Sequence, residues 1–419
     1  MKNIKIGIIG LGYIGLPLAV KLSKYFPTIG YDLNSVRISE LKKGFDRTAE
    51  VSKKEIKKNN KLKFTNKIND IESYNFFIVA VPSPIKKNKT PDFYPLKKSC
   101  SDISKIIKKN DICVFESTVD PGTTEEILIP IIEKKTKYKL NRDFFVGYSP
   151  ERANPGDKVH KLDNIKKVIS GSNKKTIKNI HYVYSKVVKA GLHIANSIKV
   201  AEASKVVENA QRDLNIALTN ELAMIFDKMK ISTSEVLDAA ATKWNFIRFE
   251  PGLVGGHCIA VDPYYLTFRS QQLNQSPKVI LAGREINDNM HKFVAKKLIK
   301  NFDLNNKKLK FLILGYTFKE NCPDIRNTKS YDLVKYFLNK NISLDIYDPW
   351  VKNDEVSFDI KKHFKNRLKN KKYDAIIICV KHKIFYNLGA KKIKNLGKKD
   401  SIIFDLKNLF PSEINFLRL

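Results

Sequence analysis

A chain of 419 residues with 42% hydrophobic residues has length for two or three domains and enough apolar mass for real cores, which excludes wholesale disorder. With 77 Lys+Arg against 43 Asp+Glu the formal net charge is +34, a balance that first suggests nucleic acid or an anionic membrane. Five scattered cysteines (Cys100, Cys113, Cys258, Cys322, Cys379) form no C-x-x-C pair, which excludes a disulfide scaffold or a zinc ribbon and fits a reducing, cytoplasmic setting.

The chain opens on MKNIKIGIIGLGYIGLPLAVKL, which has the outline of a signal peptide but no small-residue cleavage site. Residues 4–10 read instead as a buried strand and Pro17 to Tyr25 as a helix. Further strands are expected at 28–32, 76–82, 111–118 and 144–150, separated by helical patterns, so the first third reads as a parallel, doubly wound sheet. From Ser197 to Lys230 there is no Gly or Pro, and apolar residues recur at helical spacing through Val206, Ala210, Leu214, Ala217, Leu218 and Ile225. That predicts one long helix. Helices continue at Thr233–Ala241 and Val279–Asn301, interrupted by the Gly/Pro-rich loop FEPGLVGGHCIAVDP. After Asn301 strands return at 308–318, 343–350, 373–380 and 401–407. The fold expected is α/β: two Rossmann-like, doubly wound parallel-sheet domains joined by a long central helix, divided as 1–196, 197–301 and 302–419. No run of about twenty apolar residues occurs, so no transmembrane span is expected.

Lysine outnumbers arginine roughly six to one and is mixed with asparagine and isoleucine, as in residues 53–63 and 361–372. Arginine is the usual reader of phosphates and bases, and dispersed lysine reads as solvated surface. Neither nucleic acid nor membrane insertion is expected.

Gly10-Leu11-Gly12-Tyr13-Ile14-Gly15 sits between a strand and a helix, where glycines permit a tight turn and backbone approach to a pyrophosphate. Asp32 closes the next strand, placed for a ribose 2′-hydroxyl, which favours NAD over NADP. Arg37, nearby, tempers that preference, unless it is a surface helix arginine. Gly255-Gly256-His257-Cys258 puts a cysteine in a Gly-rich loop, approachable as a nucleophile, although taken alone a small buried cysteine explains it better. No second cluster of ligands accompanies His257, and no metal is expected. Lys205, Asn209 and Arg212 share one face of the long helix, as substrate ligands or as an ordinary solvated face. Glu116, Ser117 and Thr118 end one strand and Tyr148 to Arg152 another, the edge at which open α/β sheets bind ligands.

Together with VPSPI, ESTVDPGTTEE, GYSPER, GLVGGHCIAVDPYYL, GYTFKENCPDIRNTKS and IYDPW, these segments resemble the UDP-glucose/GDP-mannose dehydrogenase superfamily over essentially the whole chain. The likeness is greatest to bacterial UDP-N-acetylhexosamine 6-dehydrogenases of the Vi-polysaccharide and O-antigen type, which also carry KWNF ahead of the cysteine loop. The resemblance implies four-electron oxidation of a sugar C6 alcohol to a carboxylate, consuming two NAD, in a cytoplasmic homodimer serving surface polysaccharide synthesis. It implies Cys258 as the nucleophile that holds the aldehyde as a thiohemiacetal and then a thioester. Lys205 and Asp262 would handle protons, and Glu151 and Thr118 would position the hydrolytic water. The cofactor would meet Gly10, Gly12, Tyr13, Ile14, Gly15, Asp32, Arg37, Ser83, Thr118 and Arg326. The nucleotide sugar, a UDP-N-acetylhexosamine, would meet Arg152, Lys205, Asn209, Arg212, Gly255, Lys319 and Lys407. Ser83 stands where the family usually has threonine, and Ile247 to Glu250 departs from related enzymes beside the catalytic loop. UDP-glucose or GDP-mannose oxidation is the nearer alternative; a binding protein without catalysis is the other.

Overall fold

The computed structural model describes residues 3–153, 159–304, 308–352 and 354–419. The chain forms two compact units: Met1–Glu208 with Tyr264–Ser276, and Asn209–Pro263 with Pro277–Leu419.

The first unit is built on an eight-stranded sheet. Its strands are β1 (Ile6–Ile9), β2 (Thr28–Tyr31), β3 (Leu62–Thr65), β4 (Phe76–Val79), β5 (Ile112–Phe115), β6 (Phe145–Tyr148), β7 (Lys167–Gly171) and β8 (Leu192–Ile194). They lie in the order β3-β2-β1-β4-β5-β6-β7-β8. The order reverses between β1 and β4, the switch point at which ligands bind in doubly wound sheets. β1, β2, β4 and β5 are buried along their whole length, as strands covered by helices on both faces are, and β4 is a continuous Phe/Ile/Val run. Successive residues feed opposite cores: Phe76 and Ile78 join one cluster, Phe77 and Val79 the other.

Three strands escaped the sequence reading. β3 lies at the sheet edge in a lysine-rich segment, β7 opens on Lys167 directly after Lys166, and β8 is three residues long. β7 also breaks the expected parallel rule by running antiparallel to β6, with Tyr148 opposite Ser170. The first helix spans Gly15–Leu22 rather than starting at Pro17, because the turn passes straight into it.

The long helix is Ile198–Met229, continuous over 32 residues; it belongs to the first unit as far as Glu208 and to the second beyond. Helices Thr233–Ala240 and Lys278–Ile299 lie where expected. The loop read as extending to Pro263 ends sooner, since helix Asp262–Gln272 begins there with proline in its first turn, a position that needs no backbone N–H.

The second unit carries β9 (Lys310–Leu314), β10 (Ser343–Tyr347), β11 (Tyr373–Ile378) and β12 (Gly397–Asp405), all parallel, in the order β10-β9-β11-β12. Among the described residues no helix is long and apolar enough to cross a membrane. Cys100, Cys113, Cys322 and Cys379 are buried, while Cys258 is half-exposed.

Candidate active site

In the first unit the predicted groups gather at the carboxyl ends of parallel strands. Gly10 follows β1 at φ +94°, and a Cβ there would meet the Ala80 carbonyl oxygen at 2.6 Å. A Cβ at Gly15 would lie 1.8 Å from the Gly10 carbonyl oxygen, whereas one at Gly12 would meet nothing within 4 Å. The turn is therefore closed on the protein side and open at Gly12. Asp32 Oδ2 accepts the Leu11 N–H at 2.9 Å and its Oδ1 the Asn34 N–H at 2.9 Å, with lone pairs remaining for a ribose hydroxyl. Open backbone at a helix N-terminus and a fixed carboxylate at the next strand fit NAD. Tyr13 and Ile14, at the turn, are half-buried, as are Ser83 beyond β4 and Thr118 beyond β5.

Arg37 is not a surface arginine. It is 5% exposed; its Nε donates to the Leu11 carbonyl at 2.9 Å and its Nη2 lies 2.8 Å from Asp46 Oδ1, so it braces the turn from within.

Glu151 follows β6 and is buried, its Oε1 accepting the N–H groups of Arg152 at 2.9 Å and Ala153 at 2.6 Å. Its Oε2 accepts Lys167 Nζ at 3.2 Å, and Lys167 also reaches Glu116 Oε2 at 3.3 Å. Burial, the largest influence on Glu151, opposes its charge, but the Lys167 ammonium and the two N–H groups outweigh it and hold the carboxyl below its ordinary value. Glu116 shares the lysine yet is pushed upward, because burial dominates there and Glu151 adds like charge. Lys167 and its contacts were not foreseen. Arg152 is engaged by protein groups, its Nε 2.8 Å from Glu208 and its Nη1 donating to the Lys166 carbonyl at 2.8 Å. Lys205, on the same helix as Glu208, is 9% exposed, so this end of the stripe is not an ordinary solvated face.

The second unit carries the cysteine. Gly256 has φ +86°, and a Cβ there would meet the Phe318 ring at 2.6 Å; one at Gly255 would lie 2.7 Å from the Asn327 carbonyl oxygen. Asn327 also closes on Gly256, accepting its N–H at 3.3 Å and donating to its carbonyl at 3.2 Å. The Cys258 carbonyl accepts the N–H groups of Val261 and Asp262 at 3.0 and 2.8 Å, which sets the thiol in the turn leading into helix Asp262–Gln272. Asp262 is buried, and its Oδ2 accepts Asn209 Nδ2 at 2.5 Å, so two predicted residues meet. Arg212, one helical turn on, is exposed.

Asn220 pairs with both main-chain groups of Gly252, accepting its N–H at 2.7 Å and donating to its carbonyl at 3.1 Å. Asn287 joins Asn220 at 2.8 Å and Asp213 at 2.8 Å, and Arg284 closes on Asp213 at 2.6 Å. This buried chain fixes the loop from behind. Arg326 Nη2 lies 3.3 Å from His257 Nδ1 and is forked on Asp324. Lys407 follows β12, half-buried, close enough that a Cβ at Gly252 would lie 2.8 Å from its Nζ; burial pushes its ammonium down. Lys319, half-buried, follows β9.

The smaller sheet repeats the turn device. Gly315 has φ +91°, and Asp348 Oδ2 accepts the Tyr316 and Thr317 N–H groups at 2.6 and 2.9 Å, as Asp32 accepts Leu11. Here His382 Nε2 lies on the same oxygen at 3.0 Å, an arrangement the sequence did not disclose.

Three family models match in sequence along the chain. The NAD-binding domain of the UDP-glucose/GDP-mannose dehydrogenase family covers residues 4–188, the central domain 199–289 and the UDP-binding domain 312–412. The chain belongs to the UDP-glucose/GDP-mannose dehydrogenase family. As a member it is a nucleotide-sugar dehydrogenase with NAD as cofactor. A UDP-N-acetyl-D-glucosamine 6-dehydrogenase of Pseudomonas aeruginosa is 48% identical over 100% of both chains. One of Salmonella typhi is 49% identical over 100% of this chain and 99% of the relative. Among solved structures, a UDP-D-ManNAc dehydrogenase of Pyrococcus horikoshii superposes with a TM-score of 0.88 at 29% identity, covering 99% of this chain and 98% of that one.

Proposed function

We propose that this dehydrogenase oxidises the C6 alcohol of a UDP-N-acetylhexosamine, UDP-GlcNAc or UDP-GalNAc, to the uronic acid for surface polysaccharide synthesis. The observation that carries the chemistry is the half-exposed Cys258 thiol on a loop whose glycines admit no side chain. The names and full-length identity of the Pseudomonas aeruginosa and Salmonella typhi relatives support the sugar.

NAD supplies the hydride acceptor when bound at the Gly10–Gly15 turn. Lys205 takes the alcohol proton, and the Cys258 thiolate adds to the aldehyde carbon, keeping that intermediate on the enzyme while the cofactor exchanges. Loss of a second hydride leaves a thioester, which water hydrolyses with Glu151 as base and Thr118 positioning the water. Overall the alcohol, two NAD and one water give carboxylate and two NADH, with three protons released. Asp262, buried against Asn209, serves the oxyanion at Cys258. Arg212, Lys319, Lys407 and Arg152 answer the diphosphate, and Arg326 and Arg37 the cofactor side. The division 1–196, 197–301 and 302–419, a homodimer and a cytoplasmic location complete the reading.

The test is NADH release with UDP-GlcNAc, UDP-GalNAc, UDP-glucose and GDP-mannose. Two NADH per acetylated sugar are expected, with Cys258→Ala abolishing net turnover. Preference for UDP-glucose or GDP-mannose would overturn the sugar, uronate formation by Cys258→Ala at the wild-type rate would overturn the covalent route, and no turnover at all would leave a binding protein.

A further inference from the structure

The buried side of Glu151 is made of Lys167, Glu116 and Tyr184, groups outside the proposed catalytic set. β6 and β7 run antiparallel with Tyr148 opposite Ser170, so counting three residues beyond Tyr148 and three before Ser170 sets Glu151 opposite Lys167. The reversal of one strand thus brings the first residue of β7 to the edge where β5 and β6 end. There Lys167 Nζ lies 3.2 Å from Glu151 Oε2, 3.3 Å from Glu116 Oε2 and 3.2 Å from the Pro150 carbonyl oxygen, which uses all three ammonium protons. The other Glu116 oxygen accepts the Tyr184 hydroxyl, and the ammonium also sits 5.4 Å from the centre of the Tyr184 ring. Lys167 is 2% exposed and Glu116 1%.

A buried cluster of this kind is a poor source of stability, since desolvating three charges offsets most of their attraction and apolar side chains would serve as well. Its effect falls on one group. Glu151 is fixed at both oxygens, one by its own turn and one by the lysine. The groups facing it are Lys167 from β7, Glu116 beyond β5 and Tyr184 from helix Lys174–Ser185, with Arg152 beside it in the chain. The two carboxyls are driven in opposite directions, Glu116 up by burial and Glu151 down by Lys167 against burial, the pattern of paired acids with different tasks.

We infer that Lys167 is a positioning residue that clamps Glu151 as the carboxylate receiving the proton of the hydrolytic water, with Glu116 and Tyr184 fixing the lysine in turn. The inference rests on the proposed reading in which Cys258 carries the acyl group. In the step concerned the water oxygen bonds to the thioester carbon, its proton passes to Glu151, the C–S bond breaks and the Cys258 thiolate leaves; nothing is oxidised or reduced.

The test compares Lys167→Met and Glu116→Gln with wild type, using UDP-GlcNAc and NAD, by rapid-mixing NADH release and the pH profile of kcat. Lys167→Met is expected to lower kcat by about tenfold or more. It should also move the acid limb to higher pH and show a burst of two NADH per Cys258 before a slow steady state, since both hydride transfers precede hydrolysis. Glu116, driven upward, already holds its proton where Glu151 titrates, so Glu116→Gln should leave the acid limb near its wild-type place. An acid limb raised by Lys167→Met and left in place by Glu116→Gln supports the clamp. An unmoved or lowered limb in Lys167→Met, an equal shift in both variants, or loss of the first hydride transfer in Lys167→Met would overturn it. If Lys167→Met alone does not fold, the double variant Lys167→Met with Glu116→Gln removes one charge of each sign and must still show the burst. A wild type that releases no second NADH would instead sink the covalent reading, and the clamp with it.

Discussion

Gly256 shows how a single residue controls the cysteine loop. Its φ of +86° is one that a side chain disfavours by about 1–3 kcal/mol, and a Cβ would lie 2.6 Å from the Phe318 ring. Gly256→Ala must therefore shift the loop that carries Cys258 or the ring packed on it. The expected outcome is a fall in kcat of about tenfold or more with a thermal midpoint lowered by a few degrees, read from NADH release and calorimetry on the same preparation. An alanine variant with wild-type kcat would show that the loop tolerates the shift. Residues of this kind were legible because glycine spacing is a strong signal. Lys167 was not, for the opposite reason: in a chain this rich in lysine, one more in NIKKVISG carries no mark of burial. The burial of Arg37 was hidden on the same ground, since its spacing on a helix says nothing of the Asp46 carboxylate that receives it.

At the scale of elements, the long helix does more than span. Glu202, fully buried one turn before Lys205, accepts the N–H of Gly122 at 2.6 Å with one oxygen and that of Thr124 at 2.9 Å with the other. It thereby ties the segment after Thr118 to the helix that carries Lys205. Burial pushes its carboxyl up to about 7, against those N–H bonds. A group whose folded value lies above its unfolded 4.5 holds its proton in the native state while the unfolded chain has lost it, so stability declines as pH rises from about 4.5 to about 7. Glu202→Gln cannot titrate. Urea unfolding at pH 5 and pH 8 should show the wild type losing about 3 kcal/mol more than the variant across that interval. Equal losses would mean that Glu202 stays ionised throughout. The strands that frame this region were legible where apolar residues run together; β3 and β7 were not, because they carry lysine, and β8 was not, because it is three residues long. The antiparallel turn of β7 lies beyond any periodicity argument, because direction in a sheet is set by pairing partners and not by the strand's own pattern.

For the molecule as a whole, the charge and the apolar surface carry different information. The +34 excess gave no functional lead, although a few of its members, Lys167 and Lys205 among them, are buried at the site. The apolar surface is more specific. Val200, Val207, Leu218, Ile225 and Met229 are 51, 52, 55, 46 and 59% exposed, and their spacings of 7, 11, 7 and 4 return each to one face of helix Ile198–Met229. That makes an apolar stripe roughly 40 Å long at 1.5 Å per residue, beyond the scatter of single apolar residues that a surface ordinarily shows. A second copy of the same helix, related by a two-fold axis, would cover it with the same side chains. Light scattering should then give a particle of about twice the 48.1 kDa chain. Leu218→Glu with Ile225→Glu should give one of 48.1 kDa whose circular dichroism is unchanged, since both side chains point away from their own unit's core. A wild type already at 48.1 kDa would refute the pairing, and a double variant still at twice that mass would place the interface on another face.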